Sequence, residues 1–208
     1  MNHAAVAGIV AGFLLGPLQE APAHLESSAP AEHVESGQLR SMGGRTVDYR
    51  IRLLPIASFP GLPAEVTAQL SQRGCMIPQS FEAQQPENVI HGAFRAPGSN
   101  DWVMLCSTGG TTTLLVFFEG QYDAPIELRT QPDTKWLGAE PGSSIFGSAW
   151  GIALQPLAEL RASPGVRQAI HPDHDGIEDA RLERSTTIHY YQGGKWIFLG
   201  GSNQQDSH

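Results

Sequence analysis

From Thr46 onward, apolar and polar positions alternate in short bursts separated by glycine and proline. Val47-Asp48-Tyr49-Arg50-Ile51-Arg52-Leu53 changes face at nearly every residue, the period of a half-buried strand. A helical period follows. Leu62, Val66 and Leu70 fall on one face, Pro63 suits a first helical position, and Gly74 is placed as a C-terminal stop. Residues 88–120 predict a meander: a strand from Val89 to Phe94, a turn at Pro97-Gly98-Ser99-Asn100, a strand from Trp102 to Cys106, and a turn at Thr108-Gly109-Gly110. Leu114 to Phe118 is wholly apolar, as expected of a central strand. Ser144 to Leu154 fits either a strand or a buried helix, and Leu157 to Ile170 is a weak helix broken at Pro164. Thr186 to Gln192 and Lys195 to Leu199 flank Gly193-Gly194, which suits a hairpin with a two-residue turn. The pattern predicts a single α+β domain over 46–201, mostly antiparallel sheet with hairpins, a meander and one or two helices.

Ahead of this region the pattern changes. Ala4 to Gly16 is apolar and uncharged, and Ala21-Pro22-Ala23 offers a small-x-small cleavage signature, the layout of a secretory signal peptide over 1–23. No Lys or Arg precedes the run. It is shorter than the roughly 20 residues that span a bilayer, so no stable membrane span is expected once the leader is removed. Residues 24–45 mix Glu, Ser, Ala, Pro and Gly, and with the tail 202–208 they read as flexible linker and flexible end. The expected destination is periplasmic or extracellular.

Composition sharpens this. The net charge of −8 argues against nucleic acid and anionic membrane surfaces as partners. The two cysteines, Cys75 and Cys106, read as one disulfide in an exported chain, with two buried thiols as the alternative.

The densest candidate chemistry is His171-Pro172-Asp173-His174-Asp175-Gly176-Ile177-Glu178-Asp179. Counted from His171, Asp173, Asp175 and Asp179 occupy positions 3, 5 and 9 of a calcium loop, with Gly176 at the bend. Position 1 is histidine and position 12 is Leu182 instead of the bidentate glutamate, so an EF-hand is not expected. His171 and His174 with Asp173 or Asp175 supply the donors for zinc or another transition metal. The third reading is an acidic turn whose carboxylates bond nearby backbone N–H groups. Cofactors are therefore none, or calcium or another divalent metal. His91, His174 and His189 are candidates to meet in space. Trp102, Trp136, Trp150 and Trp196 suit either a glycan groove or core packing. Ser148 in Gly147-Ser148-Ala149-Trp150-Gly151 does not make a nucleophile elbow.

Two stretches carry a resemblance. One is Asn88 to Phe94 with Pro97-Gly98 and Asp101 to Ser107; the other is Asp173 to Ala180 with Ser185, Ile188-His189-Tyr190 and Gly194-Lys195-Trp196. Together they resemble small exported bacterial proteins of uncharacterised function. The resemblance implies export and a strand-rich domain, and brings no activity or catalytic residue. The function expected is an exported, non-catalytic binding or accessory domain with a protein or glycan partner. The alternative is an exported metal-dependent hydrolase, with His171, Asp173, His174 and Asp175 as ligands and Glu178 as base. A structural cell-envelope protein is the third reading.

Overall fold

The computed structural model describes residues 31–40, 44–139, 142–182 and 184–200. The expected leader 1–23, the start of the expected linker (24–30) and the tail 202–208 lie outside the described residues. In chain order the strands are β1 (His33–Arg40), β2 (Thr46–Pro55), β3 (Met76–Gln79), β4 (Val89–Gly92), β5 (Asp101–Thr108), β6 (Thr111–Phe117), β7 (Ile126–Pro132), β8 (Leu137–Ala139), β9 (Phe146–Ser148), β10 (Trp150–Gln155), β11 (Gly176–Arg181), β12 (Ser185–Gln192) and β13 (Lys195–Gly200). Helix α1 (Ala64–Arg73) lies between β2 and β3, and α2 (Leu157–Ala162) and α3 (Pro164–Ala169) lie between β10 and β11.

The strands form two sheets. The larger runs β7-β6-β5-β3-β2-β9-β8, with β1 added to β2 and β4 to β5; the smaller runs β10-β11-β12-β13. Among the described residues pairing is antiparallel except where β2 meets β9 in parallel through Tyr49 and Phe146. The chain is therefore β-rich with a few helices, and its larger sheet is mixed.

The apolar character of β5 and β6 follows from burial on both faces. Val103, Leu105, Leu114, Val116 and Phe118 pack against Trp150, Ile152 and Ile177 of the smaller sheet. Their neighbours Met104, Cys106, Leu115 and Phe117 point the other way, onto Leu62, Val66 and Leu70 of the helical segment. Leu160, Val166 and Ile170 of the later helical pair cover Tyr190, Ile188, Ile197 and Leu199 on the outer face of the smaller sheet. The order of layers is α1, larger sheet, smaller sheet, then α2 and α3. Gly74 ends α1 in the left-handed region, φ 70°, and Cys75 next to it lies at disulfide distance from Cys106 on β5.

Several expectations change. Residues 33–40, read as linker, pair with β2 along the whole of β1, from His33 opposite Leu53 to Arg40 opposite Thr46. Composition suggests a segment unable to bury surface, yet β1 needs only an open strand edge for its backbone groups. Ser144 to Leu154 resolves into β9 and β10, and the weak helix into α2 and α3, divided just before Pro164. The acidic segment 171–179 is not one loop, because β11 begins at Gly176 and takes Glu178 and Asp179 into the sheet.

Candidate functional site

The acidic segment distributes its side chains among separate partners. The carboxylate of Asp175 accepts the backbone N–H of Ala93 at 3.2 Å and of Leu157 at 3.0 Å, which ties the end of β4 to the start of α2. Asp173 exchanges two hydrogen bonds with Tyr190: its N–H donates to the phenol at 2.9 Å, and the phenol donates to Oδ1 at 3.0 Å. Burial, with the Asp173 carboxylate beside it, pushes the Tyr190 phenol above its ordinary pKa.

His174 is buried and stacks on Tyr190, ring centroids 4.4 Å apart. Its Nδ1 lies 2.9 Å from the carbonyl oxygen of Asp175 and its Nε2 lies 2.8 Å from that of Tyr191. Both ring nitrogens therefore lie within hydrogen-bond distance of backbone carbonyl oxygens.

Asp179 turns into the space between the sheets, fully buried. It accepts Trp150 Nε1 at 2.8 Å and His189 Nε2 at 2.8 Å, and pairs with Arg129 at 3.1 Å. Trp136 lies against both Arg129 and Trp150. His171 is exposed. Of the residues proposed from the sequence as one metal set, Asp173 and His174 stay together, His174 Nε2 lying 3.6 Å from Asp173 Oδ1 beside Tyr190, while His171, Asp175 and Asp179 take other partners or face solvent; among the described residues no three His, Cys, Asp or Glu side chains are grouped to hold an ion. His91 packs on Trp102 and His189 on Phe198, so the three histidines do not meet. Trp150 is core, and Trp136 and Trp196 pack against the same core.

A different feature is concave and polar. The alternation of β2 buries Ile51 and Leu53 on one face and sets Arg50 and Arg52 side by side on the other. Gln79 of β3 is registered opposite Arg52. Gln79 is itself buried and saturated: it accepts Glu87 N–H at 2.9 Å and donates to the carbonyls of Glu87 and Ile77 at 3.1 and 3.2 Å. The Glu87 carboxylate accepts Ser80 N–H at 2.7 Å, and Phe81 N–H reaches the Ser148 carbonyl at 2.8 Å. These bonds hold open a depression of about 350 Å³ lined by Arg50, Arg52, Ser80, Phe81, Gln84 and Ser148, among others. Gly138 forms part of the support, since a Cβ there would stand 2.8 Å from the Phe81 ring.

Arg52 donates to Glu32 at 2.9 Å and to the Ala83 carbonyl at 3.2 Å. The Glu32 pair is more than a third exposed on both sides, and such pairs contribute only about 0–1 kcal/mol, so an incoming anion can displace it. Among the described residues, neither Ser80 nor Ser148 has a histidine or carboxylate bonded to its hydroxyl. The arrangement is equipped to hold an anion by charge and hydrogen bonds. Its sequence signal is two arginines two residues apart on the polar face of a strand whose other face is core.

No protein-family model, curated protein or solved structure matches this chain.

Proposed function

We propose that this chain is an exported, non-catalytic binding domain that takes a ligand through an anionic group, carboxylate, sulfate or phosphate, in the depression lined by Arg50 and Arg52. The observation that carries the reading is the placing of two guanidinium groups on one strand face over a saturated polar floor, in a chain of net charge −8. Guanidinium is the side-chain group best suited to two-point capture of a planar or tetrahedral oxyanion. Export rests on the leader-like N-terminal pattern and fits the Cys75–Cys106 pair.

The test is a titration of ¹⁵N-labelled protein with citrate, sulfate and inorganic phosphate, with a neutral sugar as control. Saturable shifts at Ser80, Phe81 and Ser148 are expected with at least one anion. Arg52→Met should raise the dissociation constant about tenfold or more, which is roughly 1.4 kcal/mol. Binding should weaken as ionic strength rises. Saturable binding that ignores both Arg50→Met and Arg52→Met, or no response to any anion, would sink the reading.

A further inference from the structure

A second cluster of positive charge lies where β11 turns into β12. Arg181 closes β11, with Trp150 of β10 on one side and Ser185 of β12 on the other. Its Nε is buried and has no hydrogen-bond partner. Among the described residues, no carboxylate comes within ion-pair distance of Arg181 or Arg184. The two arginines border a depression of about 500 Å³ that is also lined by Ser185, Thr186, Leu182 and Glu178.

This arrangement is costly without a counter-charge. A partly desolvated guanidinium whose Nε–H has no partner among the described residues loses a water contact without a replacement there. Burial first, and the neighbouring charge of Arg184 second, lower the pKa of Arg181 from its ordinary value. Arg129, by contrast, reaches the Asp179 carboxylate. Arg181 instead borders an open recess that Ser185 and Thr186 also line.

We propose that Arg181 and Arg184 form a second oxyanion site, in which the guanidinium groups and the Ser185 or Thr186 hydroxyl hold a carboxylate, sulfate or phosphate group of a ligand. The site does not depend on the depression of Arg50 and Arg52. Glu178 sets the sign of a distinctive test. It lines the same recess without pairing to either arginine, so its charge opposes the anion, and removing that charge should strengthen binding.

The experiment follows the side-chain Nε–H resonance of Arg181 in the full chain during separate titrations with inorganic phosphate and with acetate, using sodium chloride as the screening control. A saturable shift with phosphate alone identifies a tetrahedral oxyanion ligand; a shift with both extends the class to carboxylates. Glu178→Gln should tighten binding several-fold. Arg184→Gln, at an exposed position, should weaken it several-fold even if Arg181→Met fails to fold. The response should persist in Arg52→Met, which separates this site from the first. A shift that chloride reproduces at equal ionic strength, or no shift with either probe, overturns the proposal. So does binding that Glu178→Gln leaves unchanged or weakens.

Discussion

Asn88 and Asp179 show how single residues join the two sheets. Asn88 is the one described non-glycine residue with positive φ, 67°, and it is buried. Its amide donates to the carbonyls of Pro78 at 2.7 Å and Trp150 at 3.3 Å and accepts Ile152 N–H at 2.9 Å, so it links β3 to β10. Asparagine tolerates the left-handed region better than most residues. Asn88→Ala should cost about 2–4 kcal/mol, combining an orphaned Ile152 N–H with left-handed strain. Asn88→Gly should cost less, because glycine removes the strain but not the orphan; equal losses in urea unfolding would refute the conformational part. At Asp179, Asp179→Asn should cost about 3–5 kcal/mol because it strands Arg129. Arg129→Leu should cost less, since Asp179 keeps its bonds to Trp150 and His189. Neither role is legible in the sequence. Both residues act on partners tens of residues away, and a polar side chain at a strand end looks the same whether it faces water or another sheet.

At the scale of elements, legibility depended on local rules. Pro63, Gly74 and the 62-66-70 spacing marked α1 because caps and helical period act over a few residues. Gly193 and Gly194, at φ 60° and 81°, adopt the left-handed turn that their pairing suggested. Strand β1 escaped notice because its order comes from β2 and not from its own composition. Cys75 at the end of α1 lies at disulfide distance from Cys106 on β5, across a sequence separation of 31 residues. In the chain-entropy description a loop of that length stabilises the fold by about 3–4 kcal/mol. The Cys75→Ala, Cys106→Ala double variant should lose roughly that amount in denaturant unfolding, and wild type under reducing conditions should match it. No difference between oxidised and reduced protein would show that the bond constrains nothing.

For the whole molecule, pH dependence on the alkaline side has a definite sign. Tyr190 is held above its ordinary pKa of 10.0 chiefly by burial; Tyr49 and Tyr122 are raised by burial and then by Glu35 and Glu119 respectively. The folded chain therefore keeps these protons when the unfolded chain has released them. Their contribution is fully present below pH 10 and is lost as pH rises above it. Phenolate absorbance near 295 nm should lag behind that of the urea-unfolded chain, and for Tyr190 it should appear together with loss of far-ultraviolet circular dichroism. Tyr190→Phe should make stability fall less steeply with pH. Four tyrosines titrating together near pH 10 in an intact fold would contradict this.

By itself the sequence determined the strand-rich character, helix α1 and the terminal hairpin, because periodicity, turn chemistry and composition operate over short stretches of chain. Tertiary structure alone decided which polar residues share a surface. It separated the acidic residues of 171–179, since β11 carries Asp179 between the sheets while Asp175 clamps β4 to α2. It also brought Arg50, Arg52 and Ser148 to one depression and set Arg181 and Arg184 at the border of another. Those outcomes depend on strand order and sheet packing, which join positions far apart in the chain and leave no local pattern to read.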